Sequence, residues 1–192
     1  MNDIVTGNGL CIFWTAWPWN WQFSPMLIDS VKYSCVEQYM MAMKARLFGD
    51  RATLKKIMAT VIPKVQKQLG REVKGFDQDI WTDVAYEVVL RATVEKYRQN
   101  PKLMILLQKI GDLEFVEASP EDTIWGIGIG PDNPDALDKT KWKGQNLLGK
   151  AITQARDIID GLERDGVSVG GGVDKMWRKD TANKFMIGLD EI

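Results

Sequence analysis

No histidine occurs anywhere in the 192 residues. That absence removes the Ser-His-Asp and Cys-His nucleophile systems as usually built, and histidine metal sites with them. In an enzyme of this composition, proton transfer falls to Asp, Glu, Lys, Tyr or Cys. Cysteine is scarce too, with Cys11 and Cys35 alone. Two isolated thiols do not make a structural zinc site, and free thiols in a cytoplasmic protein are the expectation. The chain shows no signal-peptide pattern and no apolar run of membrane-spanning length. Its net charge is only −1, which argues against a broad nucleic-acid footprint.

What is present is uneven. Trp14, Trp17, Trp19 and Trp21 crowd one short region, out of eight tryptophans in all. Such rings are usually core, with a minority lining ligand pockets. Residues 44–74 hold nine Lys or Arg against Asp50 and Glu72, whereas residues 111–140 hold eight Asp or Glu against Lys139. Two readings are open: two solvated faces, or a phosphate-binding rim opposite a catalytic acidic segment.

The pattern predicts an α+β fold, an α-rich single domain with a few short strands. Residues 1–9 read as frayed, "LCIFW" as a short buried strand and "TAWPWNWQFSP" as an aromatic loop broken by Pro18 and Pro25. "MLIDSVKYSC" suggests two short strands about a turn at Asp29–Ser30. Ser34 then suits a helix N-cap, with Glu37 as its capping-box partner. The helix that follows stops at Gly49. Further helices are expected from Asp50, from Pro63 to Gly70, over 77–100 and from Pro101. "DLEFVEAS" alternates like a strand, "PEDTIWGIGIGPDNPDALDKTKWKG" reads as a long loop, and "QNLLGKAITQARDIIDGLER" closes as an amphipathic helix.

In "YSCVEQYMMAMKARLFGD" the residues Val36, Met40, Met43 and Leu47 form one helical stripe, assigned to the core. Glu37, Met41, Lys44 and Phe48 form the neighbouring stripe. Glu37 and Lys44 share a face, roughly 10 Å apart along a helix rising about 1.5 Å per residue. That is too far for an easy ion pair and suits flanking a sugar-sized ligand. Periodicity alone leaves the bland alternatives standing, with Glu37 as a cap and Lys44 snorkelling over apolar surface.

Several segments in order now resemble one family. "WNW" looks like a Ser-Asn-aromatic element with Trp19 in place of the serine. "VEQYMMAMKARLFGD" resembles a Glu-centred helix, "KQLGREVKGFD" with Trp81 a second block, "VEASPEDTIWGIGIG" an acidic loop, and "WKGQNLLGKAITQAR" a closing helix. Together they resemble the NADAR (YbiA-like) N-glycosidases over residues 11 to about 163. The division expected is a lead over 1–10, the domain over 11–163 and an extension over 164–192, for which partner docking is one idea.

The resemblance implies hydrolysis of the bond between ribose C1′ and an amino group, without metal or cofactor. The expected substrate is ADP-ribose on guanine in nucleic acid. The alternatives are aminopyrimidine ribosyl-phosphate intermediates of riboflavin synthesis, or ADP-ribose binding without catalysis. An oxocarbenium-like centre at C1′ calls for a carboxylate and an acid. A ring-opened route calls for an amine that forms a Schiff base. The expected catalytic residues are Glu37, Lys44 and Asp122, with Arg46 and the basic run lowering the proton affinity of Lys44. The alternative for Asp122 is an Asx turn. Expected substrate contacts are Asn20, Arg71, Trp81, Glu117, Trp125 and Asn146, together with Gly126 and Gly128 as close-approach backbone. Asn146 would place a helix N-terminus near an anion.

Overall fold

The computed structural model describes residues 4–164. Its elements run β1 (Ile4–Gly7), β2 (Leu10–Phe13), β3 (Met26–Ile28), β4 (Val31–Tyr33), α1 (Val36–Leu47), α2 (Arg51–Met58), α3 (Pro63–Arg71), α4 (Gln78–Gln99), α5 (Pro101–Lys109), β5 (Glu114–Glu117) and α6 (Leu147–Arg164). Two single-turn 3-10 segments interrupt the long loop before α6. The α-rich α+β reading holds.

Both hairpins are built by two-residue turns with positive φ. Asp29 and Ser30, at 49° and 63°, join β3 to β4, with Ile28 opposite Val31. Asn8 and Gly9, at 50° and 77°, join β1 to β2, with Gly7 opposite Leu10. The second corrects the expectation of a frayed start. Asn-Gly is the favoured pair for a turn needing positive φ at both central positions, and it gives β2 an antiparallel neighbour. On its other side β2 pairs in parallel with β5, Phe13 opposite Glu117.

All four residues of β2 are buried, which requires cover on both faces of the three-stranded sheet. Cys11, Phe13 and Phe115 face the main core with the helices. Leu10, Ile12 and Val116 face a smaller cluster closed by Ile127, Ile129 and Ala136 of the long loop. That loop is therefore packed structure, with its own apolar anchors.

Helix α1 packs against α2, α3 and α4, and this explains why a single stripe underdescribes it. Every residue from Val36 to Met43 is buried, Glu37 and Gln38 included. Its N-cap is Cys35, with no side-chain cap bond. The expected Ser34–Glu37 capping box does not form. Instead the Gln38 side chain accepts the Ser34 N–H at 2.7 Å, which leaves Glu37 free to point elsewhere. At the other end Gly49, φ 69°, takes the left-handed position. Its N–H reaches the Arg46 carbonyl and the Asp50 N–H reaches that of Ala45, a Schellman close. Asp50 then caps α2 by accepting from Thr53 and also holds the Lys74 N–H at 2.9 Å. One tight contact brings α3 onto α1: a Cβ on Gly70 would lie 1.9 Å from the Met41 sulfur.

Candidate active site

A cleft of about 600 Å³ opens between α1, α3, the start of α4, the aromatic loop and the start of the long loop. Its lining carries both charges, with Lys44 from α1 and Lys67 and Arg71 from α3 alongside Glu117 of β5 and Glu121 and Asp122 of the long loop. The basic and acidic segments of the sequence thus contribute side chains to one cleft. Trp14, Trp19, Trp21, Trp81 and Trp125 supply the aromatic surface.

Glu37 sits in the first turn of α1, only 6% exposed. Burial pushes its carboxyl up to about 7. Lys67, a hydrogen bond from Trp21 and Arg71 work against that rise, while the Asp122 charge adds to it. Glu117 closes β5, and burial with the charges of Asp122 and Glu37 pushes it up to about 8. Its Oε2 is buried with no hydrogen-bond partner. Two carboxyls thus share one enclosed site and are held near neutrality, the condition for proton transfer at physiological pH.

Asp122 makes the Asx turn and also stands on the cleft wall. Its Oδ1 accepts the N–H groups of Ile124 and Trp125 at 2.9 and 2.7 Å, an Asx turn, while the residue lines the cleft and raises both glutamates.

Lys44 Nζ lies 3.8 Å from the Phe76 ring centroid and 5.8 Å from that of Trp81. Burial lowers its proton affinity, and the Arg71 charge lowers it further. Of the expected sources of that charge, the basic run supplies it through Arg71, while Arg46 is buried beside Tyr33 instead. The Asn20 carbonyl accepts the Glu37 N–H at 3.2 Å, and its buried Oδ1 has no partner.

A family model described as the NADAR domain matches residues 7–160. The chain belongs to the NADAR domain family. Among its relatives, N-glycosidase R617 of Acanthamoeba polyphaga mimivirus is 42% identical over 67% of this chain and 76% of its own. Protein irg-1 of Caenorhabditis elegans is 32% identical over 78% of this chain and 76% of its own. The NMR structure of E. coli YbiA superposes with a TM-score of 0.64 over 85% of this chain and 89% of that one, at 22% identity. That structure shares the fold.

Within this NADAR domain, Glu37, Lys44, Asp122, Asn20, Arg71, Trp81, Glu117 and Trp125 all meet at the cleft. Three expected contacts do not line it. Asn146 is fully buried, and its amide bonds the Glu117 N–H and the Phe115 carbonyl at 3.0 and 2.9 Å. It positions Glu117 rather than an anion. The first N–H groups of α6 are also spent, on the Ile124 and Trp125 carbonyls. Gly126 is a packing glycine: a Cβ there would meet the Asp122 carbonyl and Ser119 Cβ, each at 2.9 Å. Gly128 holds φ 67° and gives its N–H to the Asp122 carbonyl. These glycines serve the packing and turns of the loop itself.

Sequence reasoning missed Lys67 and Trp21. Lys67 stands four residues before Arg71, so the helical period that favoured one favours both. Trp21 carried no such signal, since only the fold brings its indole to Glu37. Met40 and Met41 were expected as packing, and they also form cleft wall.

Proposed function

We propose that the cleft hydrolyses the bond between ribose C1′ and an amino nitrogen, with ADP-ribose attached to the guanine amino group as its substrate. N-glycosidase activity follows from the family and from relatives that carry that name. The observation that carries the substrate reading is the set of three cations, Lys44, Lys67 and Arg71, lining one cleft with the buried glutamates. Three cations suit a diphosphate better than a single phosphate. A cleft of about 600 Å³ accommodates a nucleotide-sized ligand.

In this reading Glu37 stabilises positive charge developing at C1′, and Glu117, protonated at neutral pH, gives its proton to the departing nitrogen. Water completes the hydrolysis at C1′. Asp122 orients the ribose hydroxyls with the oxygen its turn leaves free. Lys44 either holds phosphate or, when uncharged, adds to the ring-opened sugar as a Schiff-base amine. Trp21 and Trp125 offer rings on which a base stacks.

The test is hydrolysis of ADP-ribosylated guanine in oligonucleotides, run beside riboflavin-pathway ribosyl-phosphate intermediates. Release of ADP-ribose that disappears in Glu37→Gln supports the proposal. Turnover of the ribosyl phosphates alone would transfer the chemistry to that substrate. Binding of ADP-ribose with no turnover of either, unchanged by Glu37→Gln, would make the domain a binding module.

A further inference from the structure

We propose that Lys96 is a positioning residue for the active site: its ammonium clamps three successive main-chain carbonyls and so fixes the loop that presents Asn20 and Trp21 to Glu37. The inference rests on reading the cleft as the catalytic site.

Lys96 lies on α4 and is 1% exposed. A lone buried charge is costly unless it is paired or fully hydrogen-bonded. Among the described residues no carboxylate forms an ion pair with it. Its Nζ donates to the carbonyls of Trp17, Pro18 and Trp19 at 3.0, 2.8 and 3.0 Å. An ammonium carries three donors and no acceptor, so donors and acceptors match in number. Burial draws the proton affinity of this amine down to about 7, a cost that the three carbonyl partners offset.

Three consecutive carbonyls aimed at one point repel each other unless a cation sits there. The Trp17 ring anchors the turn from one side, edge-to-face against Tyr97 and Phe115, but main-chain bonds within it are few. Pro18 has no N–H to give, and the neighbouring main-chain bonds are Trp19 N–H to the Ala16 carbonyl and Gln22 N–H to the Trp19 carbonyl. The next two residues are the working ones. Asn20 receives the Glu37 N–H, lines the cleft and carries a buried Oδ1 without a partner. Trp21 hydrogen-bonds Glu37 and stacks on Trp19, ring centroids 4.6 Å apart. The clamp at 17–19 therefore sets the polar and aromatic environment of the carboxylate from a distance, without touching substrate.

Lys96→Met keeps the buried volume and removes the cation. We expect a folded protein whose α4 and α6 amides stay protected while exchange in the peptide spanning 14–22 rises about tenfold or more. In kinetics, kcat should fall about 10- to 100-fold with a smaller change in KM, as for a misplaced catalytic group. Lys96→Ala tests the same point even if the methionine variant does not fold. n-Propylammonium restores the missing atoms and should recover loop protection and turnover, whereas tetramethylammonium, which has no N–H donors, should not. Wild-type exchange at 14–22 in Lys96→Met overturns the proposal. So does failure of n-propylammonium to restore anything in Lys96→Ala, or equal rescue by tetramethylammonium. If the wild type turns over neither substrate class, the functional reading fails, while the exchange data still decide the clamp.

Discussion

Replacing Glu117 by Gln isolates one carboxyl whose environment the structure specifies closely. Its Oε2 is buried without a partner, and burial with the Asp122 and Glu37 charges raises it from 4.5 to about 8. The unfolded chain ionises this group near its ordinary value, and the folded chain only near 8. Between those limits unfolding releases a proton, so stability is fully present below pH 4.5 and falls as pH rises through 8. At 1.36 kcal/mol per pH unit, the full window corresponds to up to about 5 kcal/mol. Because the Asp122 and Glu37 charges supply part of that rise, roughly half of that is a sounder expectation for one substitution. Glutamine keeps the shape and cannot ionise. Urea unfolding of wild type and Glu117→Gln at intervals from pH 5 to 9 should give a steep decline for the first and a flatter line for the second. The variant should be the more stable by about 2–3 kcal/mol at pH 9. Its N-glycosidase turnover should nonetheless fall about 10²- to 10⁴-fold, as for loss of a general acid. Parallel stability lines would refute the account of Glu117 as a carboxyl held protonated by burial.

Borohydride added during turnover should trap a peptide adduct on Lys44 if the ring-opened route operates, and Lys44→Arg should abolish it. Turnover with no adduct assigns Lys44 to phosphate instead. Gly70→Ala should destabilise by about 1–3 kcal/mol through the clash with Met41, read as a lowered urea midpoint, because no small shift clears a 1.9 Å contact. Asp50→Ala removes both the α2 cap and the acceptor for the Lys74 N–H, so a loss of about 2 kcal/mol is expected by thermal or urea unfolding. The Asp50 carboxyl is held down to about 2 by those bonds, so its contribution should survive at pH 4 and fade as pH drops below 3.8. Asn146→Ala should leave the cations of the cleft in place but unpair the Glu117 N–H and the Phe115 carbonyl, and so loosen Glu117. Turnover should drop while ADP-ribose affinity, measured by calorimetry, changes little.

Much of the local architecture was legible in the residues because it depends on neighbours a few positions apart. Asp50, Pro63 and Asn100–Pro101 set helix boundaries by capping and by the missing proline N–H. Asp29–Ser30 made its turn for the same kind of reason. Asn8–Gly9 carried an equally plain turn signal that was overlooked in favour of a frayed start. The shared face of Glu37 and Lys44 followed from the helical period alone. Periodicity could not say what that face meets.

That second question belongs to the tertiary structure. Sequence by itself determined that no histidine chemistry is available, that cations and acids lie in separate segments, and that one helix carries a glutamate and a lysine on one side. Folding decided that the two charged segments line one cleft, with α3 held close to α1 where Gly70 leaves room for Met41. It decided that Arg71 rather than Arg46 acts on Lys44, and that Asn146, Gly126 and Gly128 serve the loop itself. It also brought Lys96, nearly eighty residues away in sequence, beneath the carbonyls of the aromatic loop. Burial and charge proximity are sums over partners distant in the chain. The values near 7 and 8 at Glu37 and Glu117 therefore exist only once those partners have been assembled.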